Sequence, residues 1–188
     1  CVTVNEQVPQ VLRDVVRPDV VVIAAAVRNA AVAVDGRPQP LGTGRPDNTW
    51  TPDGAAGRVW QEGLATALRS VGGDDGPEVF MLGEAPYPTQ DAPTCLGEHA
   101  DAVEECAVDR ETAVYAEHDR AVEQTTQDAG ATYVSPLPWL CGEEVCPAVI
   151  DDHVVYRDTF HLNREYVLHI SRALGAALGL DDWKDPAD

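Results

Sequence analysis

Asp158 and His161 are the two residues of this sequence whose types and spacing best fit catalytic chemistry. They stand three residues apart, after the β-like run 154–156 and ahead of an amphipathic helical stretch, which is how a loop can hold a carboxylate against an imidazole. Such a carboxylate fixes the tautomer of the imidazole and stabilises the imidazolium that forms when the histidine takes a proton from a nucleophile. The pair is therefore predicted to be the base and the orienting acid of a catalytic triad.

The three serines of the chain do not offer a nucleophile for this triad. A catalytic serine needs a sharp turn beside glycines, where backbone amides can face the developing oxyanion. Ser70 instead ends a helical stretch, Ser135 follows a strand-like run and precedes a proline, and Ser171 lies inside the last helix. The sequence contains no Gly-Asp-Ser. None of the three serines is predicted to be the nucleophile.

The same segment also has a metal interpretation and a purely structural one. The run Asp151-Asp152-His153 lies near the pair, so two or three of these side chains with Asp158 and His161 could coordinate a divalent ion. Hard cations usually need more oxygen ligands than this loop offers, and we expect no metal. Structurally, Asp158 could be an acid favoured near a helix N-terminus, and His161 could cap the last helix.

Two segments of the chain match a known family. The first is Trp139-Leu-Cys141 with Cys146-Pro, and the second is Tyr-Arg-Asp158-x-x-His161-Leu. Together with a strand at 19–23, a helix at 59–68, a strand at 79–82 and an insertion at 95–106, they resemble the SGNH hydrolase-like (GDSL-type) domains fused to membrane acyltransferases. Those acyltransferases O-acetylate cell-surface glycans. The resemblance spans nearly the whole chain.

The resemblance implies a Ser-His-Asp O-acetyltransferase or esterase without a cofactor. In that family the serine belongs to a Gly-Asp-Ser near the start of the domain, before the residue that is Cys1 here. Residues 1–188 are therefore expected to form one such domain lacking its first strand and nucleophile turn. The acyl donor would be a membrane acyltransferase domain in cis, the acceptor a glycan, and the location extracytoplasmic, tethered through that domain. A module that only binds glycan or a partner domain, and a metal-dependent hydrolase, remain as alternatives.

Asn29 is a candidate oxyanion donor because many SGNH enzymes carry an asparagine after a central strand. It follows the strand at 20–25, but it lacks the Gly-Asn-Asp context, and Arg28 is an equally plausible residue for the rim of the site. Turn preference alone explains an asparagine at a strand end equally well.

The five cysteines predict two local disulfides. Cys95 pairs with Cys106 and Cys141 with Cys146, each in a stretch without hydrophobic periodicity, and loop entropy gives about 2–3 kcal/mol for each closed loop. Disulfides indicate an oxidising compartment outside the cytoplasm. These spacings fit structural zinc poorly. Cys1 has no local partner, and the resemblance implies one upstream; lipid modification of Cys1 is a second explanation.

The formal net charge of −19 argues against nucleic acid as a partner, because the phosphate term that drives such binding would be repulsive. The longest apolar run, at 20–27, is far too short to span a bilayer. The histidines outside the motif are predicted to be exposed and without a role: His99, His118 and His169.

Helical and strand-like stretches alternate along the chain. Helices are predicted at 5–16, 59–71, 110–129 and from 166, where Tyr166, Val167, Ile170, Leu174 and Leu178 form a buried stripe. Strands are predicted at 20–25, 79–82 and 132–134. The strand at 20–25 is wholly apolar, so it is predicted to be covered on both faces. Residues 37–57 are predicted to be a loop, and the loop from Gly83 is a candidate wall of the substrate cleft. The pattern predicts a three-layer α/β/α sandwich with a parallel sheet, of the SGNH/flavodoxin-like type.

Overall fold

The computed structural model of the protein describes residues 2–27, 30–41, 52–73 and 76–180. In chain order the strands are β1 (Val20–Ala24), β2 (Ala31–Val34), β3 (Arg37–Pro40), β4 (Glu78–Leu82), β5 (Val108–Asp109), β6 (Thr132–Val134), β7 (Val145–Cys146), β8 (Val149–Ile150) and β9 (His153–Val154). The helices are α1 (Val2–Val11), α2 (Ala55–Val71), α3 (Ala92–Glu98), α4 (Arg110–Ala113), α5 (Ala116–Asp128), α6 (Leu137–Leu140), α7 (Arg164–His169) and α8 (Ser171–Ala177). None of the helices in these ranges is long and apolar enough to cross a membrane.

The chain divides into two compact units. The first consists of Cys1–Glu84 and Ala116–Ser135, and the second of Ala85–Tyr115 and Pro136–Asp188. The first unit contains the parallel sheet, and the second contains Asp158 and His161.

The sheet of the first unit has the order β1-β4-β6, and all its pairings are parallel, as predicted. Ala24 lies opposite Leu82, and Leu82 lies opposite Val134, so the carboxyl ends of the three strands meet at one edge. Ligands of open α/β sheets bind outside this edge. The edge is therefore the place in this unit where polar side chains could have a function.

The core of the first unit lies where α2 and α5 pack on the sheet. Leu64, Leu68 and Val71 of α2 pack with Met81 of β4 and Val122 of α5. Leu68 is 1% exposed and Met81 is 2% exposed, and burial of a side chain of this size contributes about 1.5–3 kcal/mol. The helix α2 ends at Val71, as predicted, and the Gly72 amide donates to the Leu68 carbonyl.

Two sequence predictions for the first unit are wrong. The strand β1 is not covered on both faces by the described residues, because Val22 is 44% exposed while Val21 and Ile23 pack on the core. An apolar sequence indicates that a strand can be buried, but it does not supply the element that covers it. The predicted loop from Arg37 begins instead with β3, which forms a hairpin with β2. Its two turn residues, Asp35 and Gly36, have φ of 49° and 75°. An Asp-Gly pair is typical of such two-residue hairpin turns, so it was the sequence signal that could have predicted this hairpin.

The predicted helix at 110–129 is interrupted. The helix α4 ends at Ala113, Val114 is extended with φ −112° and ψ 127°, and α5 begins at Ala116. The Ala113 carbonyl accepts a hydrogen bond from the Tyr87 amide at 2.9 Å. This tertiary bond uses the acceptor that a continuous helix would need, and it overrides local helix propensity.

The core of the second unit holds both cysteines of one disulfide. Cys95 and Cys106 are bridged and lie in a buried cluster with Leu140, Val155 and Tyr156. The second bridge joins Cys141, just after α6, to Cys146 in β7. Both pairings that the spacing predicts are thus present.

The predicted last helix is divided at Ile170 into α7 and α8. Tyr166 is 1% exposed and Leu178 is 6% exposed, but Val167 is 39% exposed and does not belong to the buried stripe. The helical spacing predicted the helical region correctly, but it did not predict the burial of every position in it.

Candidate active site

The side chains of Asp158 and His161 are hydrogen-bonded to each other. Nδ1 of His161 lies 2.9 Å from Oδ2 and 3.0 Å from Oδ1 of Asp158. Oδ1 also accepts the backbone amides of Phe160 at 2.7 Å and His161 at 2.8 Å. One carboxylate therefore closes the turn and orients the ring that follows it.

The turn that carries the pair is fixed at both ends by backbone hydrogen bonds. The amide of Arg157 donates to the carbonyl of His161 at 2.8 Å, and the amide of Asn163 donates to the carbonyl of Val155 at 2.8 Å. The Asn163 side chain then accepts the Glu165 amide at 3.1 Å and caps α7. The helix cap is thus Asn163 and not His161, so the imidazole is available for another role.

Buried residues support this turn from below. Val155 is wholly buried, Tyr156 is 2% exposed, and both belong to the cluster that includes Tyr166 of α7. The Tyr166 hydroxyl donates to the backbone carbonyl of Trp139. The two sequence segments with the most specific motifs, around Trp139 and around Asp158, are therefore joined through Tyr166.

The charge state of Asp158 suits an orienting group. Its hydrogen bond with the His161 ring, followed by those from the Phe160 and His161 amides, holds the pKa of the Asp158 carboxyl well below its usual range. The Arg157 guanidinium, whose Nε lies 3.5 Å from Oδ2, adds a cation on the same side. Asp158 is consequently ionised throughout the neutral range.

The other ring nitrogen of His161 is the one that can take up a proton. Nδ1 faces Asp158, so the tautomer with a proton on Nδ1 leaves a lone pair on Nε2. The His161 side chain is 64% exposed, which leaves room for a nucleophile and a substrate. Chemically, such an arrangement can act as a general base with its orienting acid.

The hydroxyls of the three serines bond to groups nearby in the chain. Ser70 Oγ donates to the Ala67 carbonyl at 2.8 Å, and Ser171 Oγ donates to the Leu168 carbonyl at 2.7 Å. Ser135, after β6, hydrogen-bonds the side chain of Tyr133. Helical serines bonded to their own backbone do not have the sharp turn of a nucleophile, which agrees with the sequence analysis.

The acidic run beside the pair is engaged in its own contacts. Oδ2 of Asp151 lies 3.3 Å from Nε2 of His169, and the rings of His153 and His169 stack at 4.4 Å. Within the described ranges, no group of three His, Cys, Asp or Glu side chains is placed to hold a metal ion. The residues of this segment therefore do not fit the metal interpretation. The remaining sequence candidates, Cys1, Arg28 and Asn29, lie outside the described residues.

A cluster of ionisable groups in the first unit was missed. His118 is 2% exposed, so the prediction that it is an exposed residue is wrong. Its Nε2 lies 3.9 Å from Oε2 of Glu84, and Asp119 follows it in α5. The helical spacing of His118 with the buried residues Val122 and Thr125 was the signal that could have found it.

Comparisons with known proteins identify the family of the chain and a solved structure with a similar fold. Residues 1–176 match the family model of the SGNH domain that is fused to AT3 domains. No curated protein sequence matches the chain. The fold is similar to that of the periplasmic domain of the Salmonella ser. Paratyphi A lipopolysaccharide acetyltransferase, with a TM-score of 0.58 and 14% sequence identity. The match covers 92% of this chain and 62% of that structure, so this chain spans less than two thirds of its neighbour. The predicted α/β class with a parallel sheet is confirmed.

Proposed function

The chain belongs to the family of SGNH domains fused to AT3 domains, and on that premise we propose that it serves an extracytoplasmic O-acyltransferase or esterase acting on a cell-surface glycan. The observation that carries the proposal is the hydrogen bond between Nδ1 of His161 and Asp158 at 2.9 Å. In this proposal His161 is the general base, Asp158 orients it, and the nucleophile is a serine outside residues 1–188.

The first half of the proposed reaction forms an acyl-enzyme. The serine hydroxyl oxygen attacks the carbonyl carbon of the acyl donor while Nε2 of His161 takes the hydroxyl proton. The C–O bond to the leaving group then breaks, and the imidazolium returns that proton to the leaving oxygen. The ionised Asp158 stabilises the imidazolium between these two steps.

The second half reverses the roles of donor and acceptor. A glycan hydroxyl or water attacks the ester carbon of the acyl-serine, and Nε2 of His161 takes the proton of the attacking oxygen. The serine oxygen leaves and recovers a proton from the imidazolium. A hydroxyl acceptor gives transfer, and water gives hydrolysis, so one catalytic pair serves both reactions.

The family match supports the proposed partner, and the two disulfides support the proposed location. An AT3 acyltransferase domain in the same polypeptide would be the acyl donor, because the family is described by that fusion. The disulfides Cys95–Cys106 and Cys141–Cys146 support a location outside the cytoplasm. The structural neighbour acts on lipopolysaccharide according to its name, which motivates a glycan as the acceptor class.

A second candidate function is a module that binds glycan or a partner domain without catalysis. The observation that favours it is the local bonding of all three serine hydroxyls. The two functions differ in whether the polypeptide, extended upstream to the expected Gly-Asp-Ser, forms a covalent acyl-serine.

Acyl-enzyme trapping tests the proposal. The extended polypeptide is incubated briefly with p-nitrophenyl acetate, quenched in acid and digested, and the acetylated peptide is identified by mass spectrometry. We expect one acetyl group on the serine of the Gly-Asp-Ser, and none in a His161→Ala variant. The matched control is His169→Ala, which removes an exposed histidine outside the pair and should leave labelling unchanged. Acetylation that is independent of His161 would contradict the proposal.

A further inference from the structure

Phe160 places an exposed aromatic ring beside the imidazole of His161. The centroids of the two rings lie 6.4 Å apart, and their planes are inclined by 51°. Phe160 is 48% exposed, and no other phenylalanine, tyrosine or tryptophan in the described ranges is as exposed. Both rings belong to one turn of the second unit, so their relative position depends on that turn and its support.

The hydrogen bonds of the turn do not require an aromatic side chain at this position. Tyr156 and Leu162, on either side of it in the sequence, pair as an antiparallel bridge and pack in the buried cluster of the second unit. Phe160 contributes its backbone amide, which donates to Oδ1 of Asp158 at 2.7 Å. Every residue except proline has such an amide. The presence of phenylalanine therefore needs another explanation.

Phe160 differs from other exposed apolar residues in how its backbone is held. Single apolar side chains are common on protein surfaces and need no explanation by themselves. Oδ1 of Asp158, however, accepts the amides of both Phe160 and His161, and the same carboxylate is hydrogen-bonded to Nδ1 of the His161 ring. The group that orients the proposed base thus also fixes the backbone that carries the phenyl ring.

The acceptor must approach this ring in the second half of the proposed reaction. Nε2 of His161 takes the proton of the attacking hydroxyl, so the hydroxyl oxygen comes within about 2.6–3.2 Å of that nitrogen. The sugar ring that carries the oxygen then lies beside the imidazole, as the Phe160 ring does. The faces of a pyranose present C–H groups, which the negative face of an aromatic ring attracts while apolar surface leaves water. A sugar acceptor can therefore pack on Phe160, whereas water cannot.

We propose that Phe160 is a specificity-determining residue of this site: its ring packs against the pyranose of the acceptor and favours a sugar hydroxyl over water in the second half-reaction. The inference rests on the proposed function, because it needs the acyl-serine. The ring does not change the chemical step. The acceptor oxygen forms the new ester bond, the serine oxygen leaves, and His161 carries the proton from the first oxygen to the second. The two acceptors differ in the transition-state contact that the ring provides.

Three substitutions separate the aromatic ring from the apolar bulk of the side chain. Phe160→Ala removes the ring, Phe160→Leu keeps an apolar side chain without a flat face, and Phe160→Tyr keeps the ring. All three keep the backbone amide that donates to Asp158. Val103→Ala is the matched control, because Val103 is an apolar residue of the second unit that is 41% exposed in a different segment. The extended polypeptide is used for all variants.

The quantity measured is the ratio of transfer to hydrolysis. Each protein receives p-nitrophenyl acetate with the methyl glycoside of glucose, galactose, mannose or rhamnose, and acetylated sugar and free acetate are quantified. Both products arise from the same acyl-serine, so the ratio does not depend on how fast that intermediate forms or on how much of the protein is folded. For the glycoside that wild type acetylates most, we expect Phe160→Ala and Phe160→Leu to lower the ratio at least about threefold. Phe160→Tyr should stay within about twofold of wild type, and Val103→Ala should leave the ratio unchanged.

The outcomes distinguish failure of this inference from failure of the proposed function. A smaller change in Phe160→Ala or Phe160→Leu would overturn the inference, and so would a loss in Phe160→Tyr or Val103→Ala as large as that in Phe160→Ala. A wild-type polypeptide that forms and hydrolyses the acyl-serine but acetylates none of the four glycosides would also overturn it, while the esterase function would stand. If wild type forms no acyl-serine, the proposed function fails, and this inference fails with it.

Discussion

Asp158 binds His161 through two different parts of that residue: Oδ1 accepts the His161 backbone amide at 2.8 Å, and Oδ2 lies 2.9 Å from Nδ1 of its ring. The same carboxylate therefore fixes both the turn and the orientation of the imidazole. Because the two residues are three apart in one turn, their spacing could suggest the pair. The resemblance to a known family was needed to favour the catalytic interpretation over a helix cap.

Asp158→Asn should lower kcat for p-nitrophenyl acetate on the order of 10⁴-fold in the extended polypeptide. The asparagine oxygen can still accept the Phe160 and His161 amides, so the turn is kept. Its NH₂ group is a donor and cannot accept the hydrogen bond from Nδ1–H, so it favours the wrong tautomer of the imidazole. The melting temperature should change little. Asp151→Asn is the control, because that exposed carboxylate pairs with His169 instead. A kcat for Asp158→Asn within threefold of wild type would rule out the orienting role.

Removing the Cys95–Cys106 disulfide should cost more stability than removing Cys141–Cys146. Loop entropy alone gives about 3 kcal/mol for the first bridge and about 2 kcal/mol for the second. Cys95 and Cys106 are also buried beside Val155 and Tyr156, below the turn that carries His161. The double alanine variants of each pair are compared by urea denaturation of residues 1–188. An equal loss of stability in the two variants, or a larger loss on removal of Cys141–Cys146, would contradict the prediction.

Asp119→Asn should change how stability depends on pH. Burial, with the charges of Glu84 and Glu123, raises the pKa of Asp119 to about 7. A carboxyl whose pKa is raised on folding favours the folded state at low pH, and this contribution is lost as pH rises from about 4 to 7. The asparagine does not ionise, so the variant does not lose this stability as the pH rises. Its free energy of unfolding should therefore increase relative to that of wild type between about pH 4 and pH 7, by an amount on the order of a few kcal/mol, and the difference should stay constant at higher pH.

Tyr133 interacts with Asp119 in addition to the two glutamates, and His118 precedes Asp119 in α5 and lies near Glu84. The lowered pKa of His118 gives the opposite dependence, since its contribution is lost as pH falls from about 6.5 to 4, and both proteins contain it. The comparison of variant with wild type therefore isolates Asp119. If the difference in the free energy of unfolding between Asp119→Asn and wild type were the same at pH 4.5 and at pH 7.5, the raised pKa of Asp119 would be contradicted.

The sequence was most informative where a feature depends on neighbours in the chain. The parallel strands follow from short apolar runs, and the disulfides follow from cysteines 11 and 5 residues apart. It failed where a distant residue decides the outcome. The helix predicted at 110–129 is interrupted where the Tyr87 amide donates a hydrogen bond to the Ala113 carbonyl. His118 is buried because α5 packs on the sheet.

The hydrogen bond from the Val27 amide to Glu84 could not be predicted for the same reason, because it joins residues 57 positions apart. Only the pairing of β1 with β4 brings those two strand ends together.

The most direct measurement is the steady-state turnover of p-nitrophenyl acetate by three proteins: residues 1–188, the polypeptide extended upstream to the expected Gly-Asp-Ser, and its His161→Ala variant. The account predicts almost no turnover by residues 1–188 and enzyme-like turnover by the extended polypeptide. His161→Ala should lower that turnover on the order of 10⁴-fold or more, leaving only the small residual that other groups provide. Enzyme-like turnover by residues 1–188 that is abolished by Ser135→Ala, or full activity of the His161→Ala variant, would contradict it.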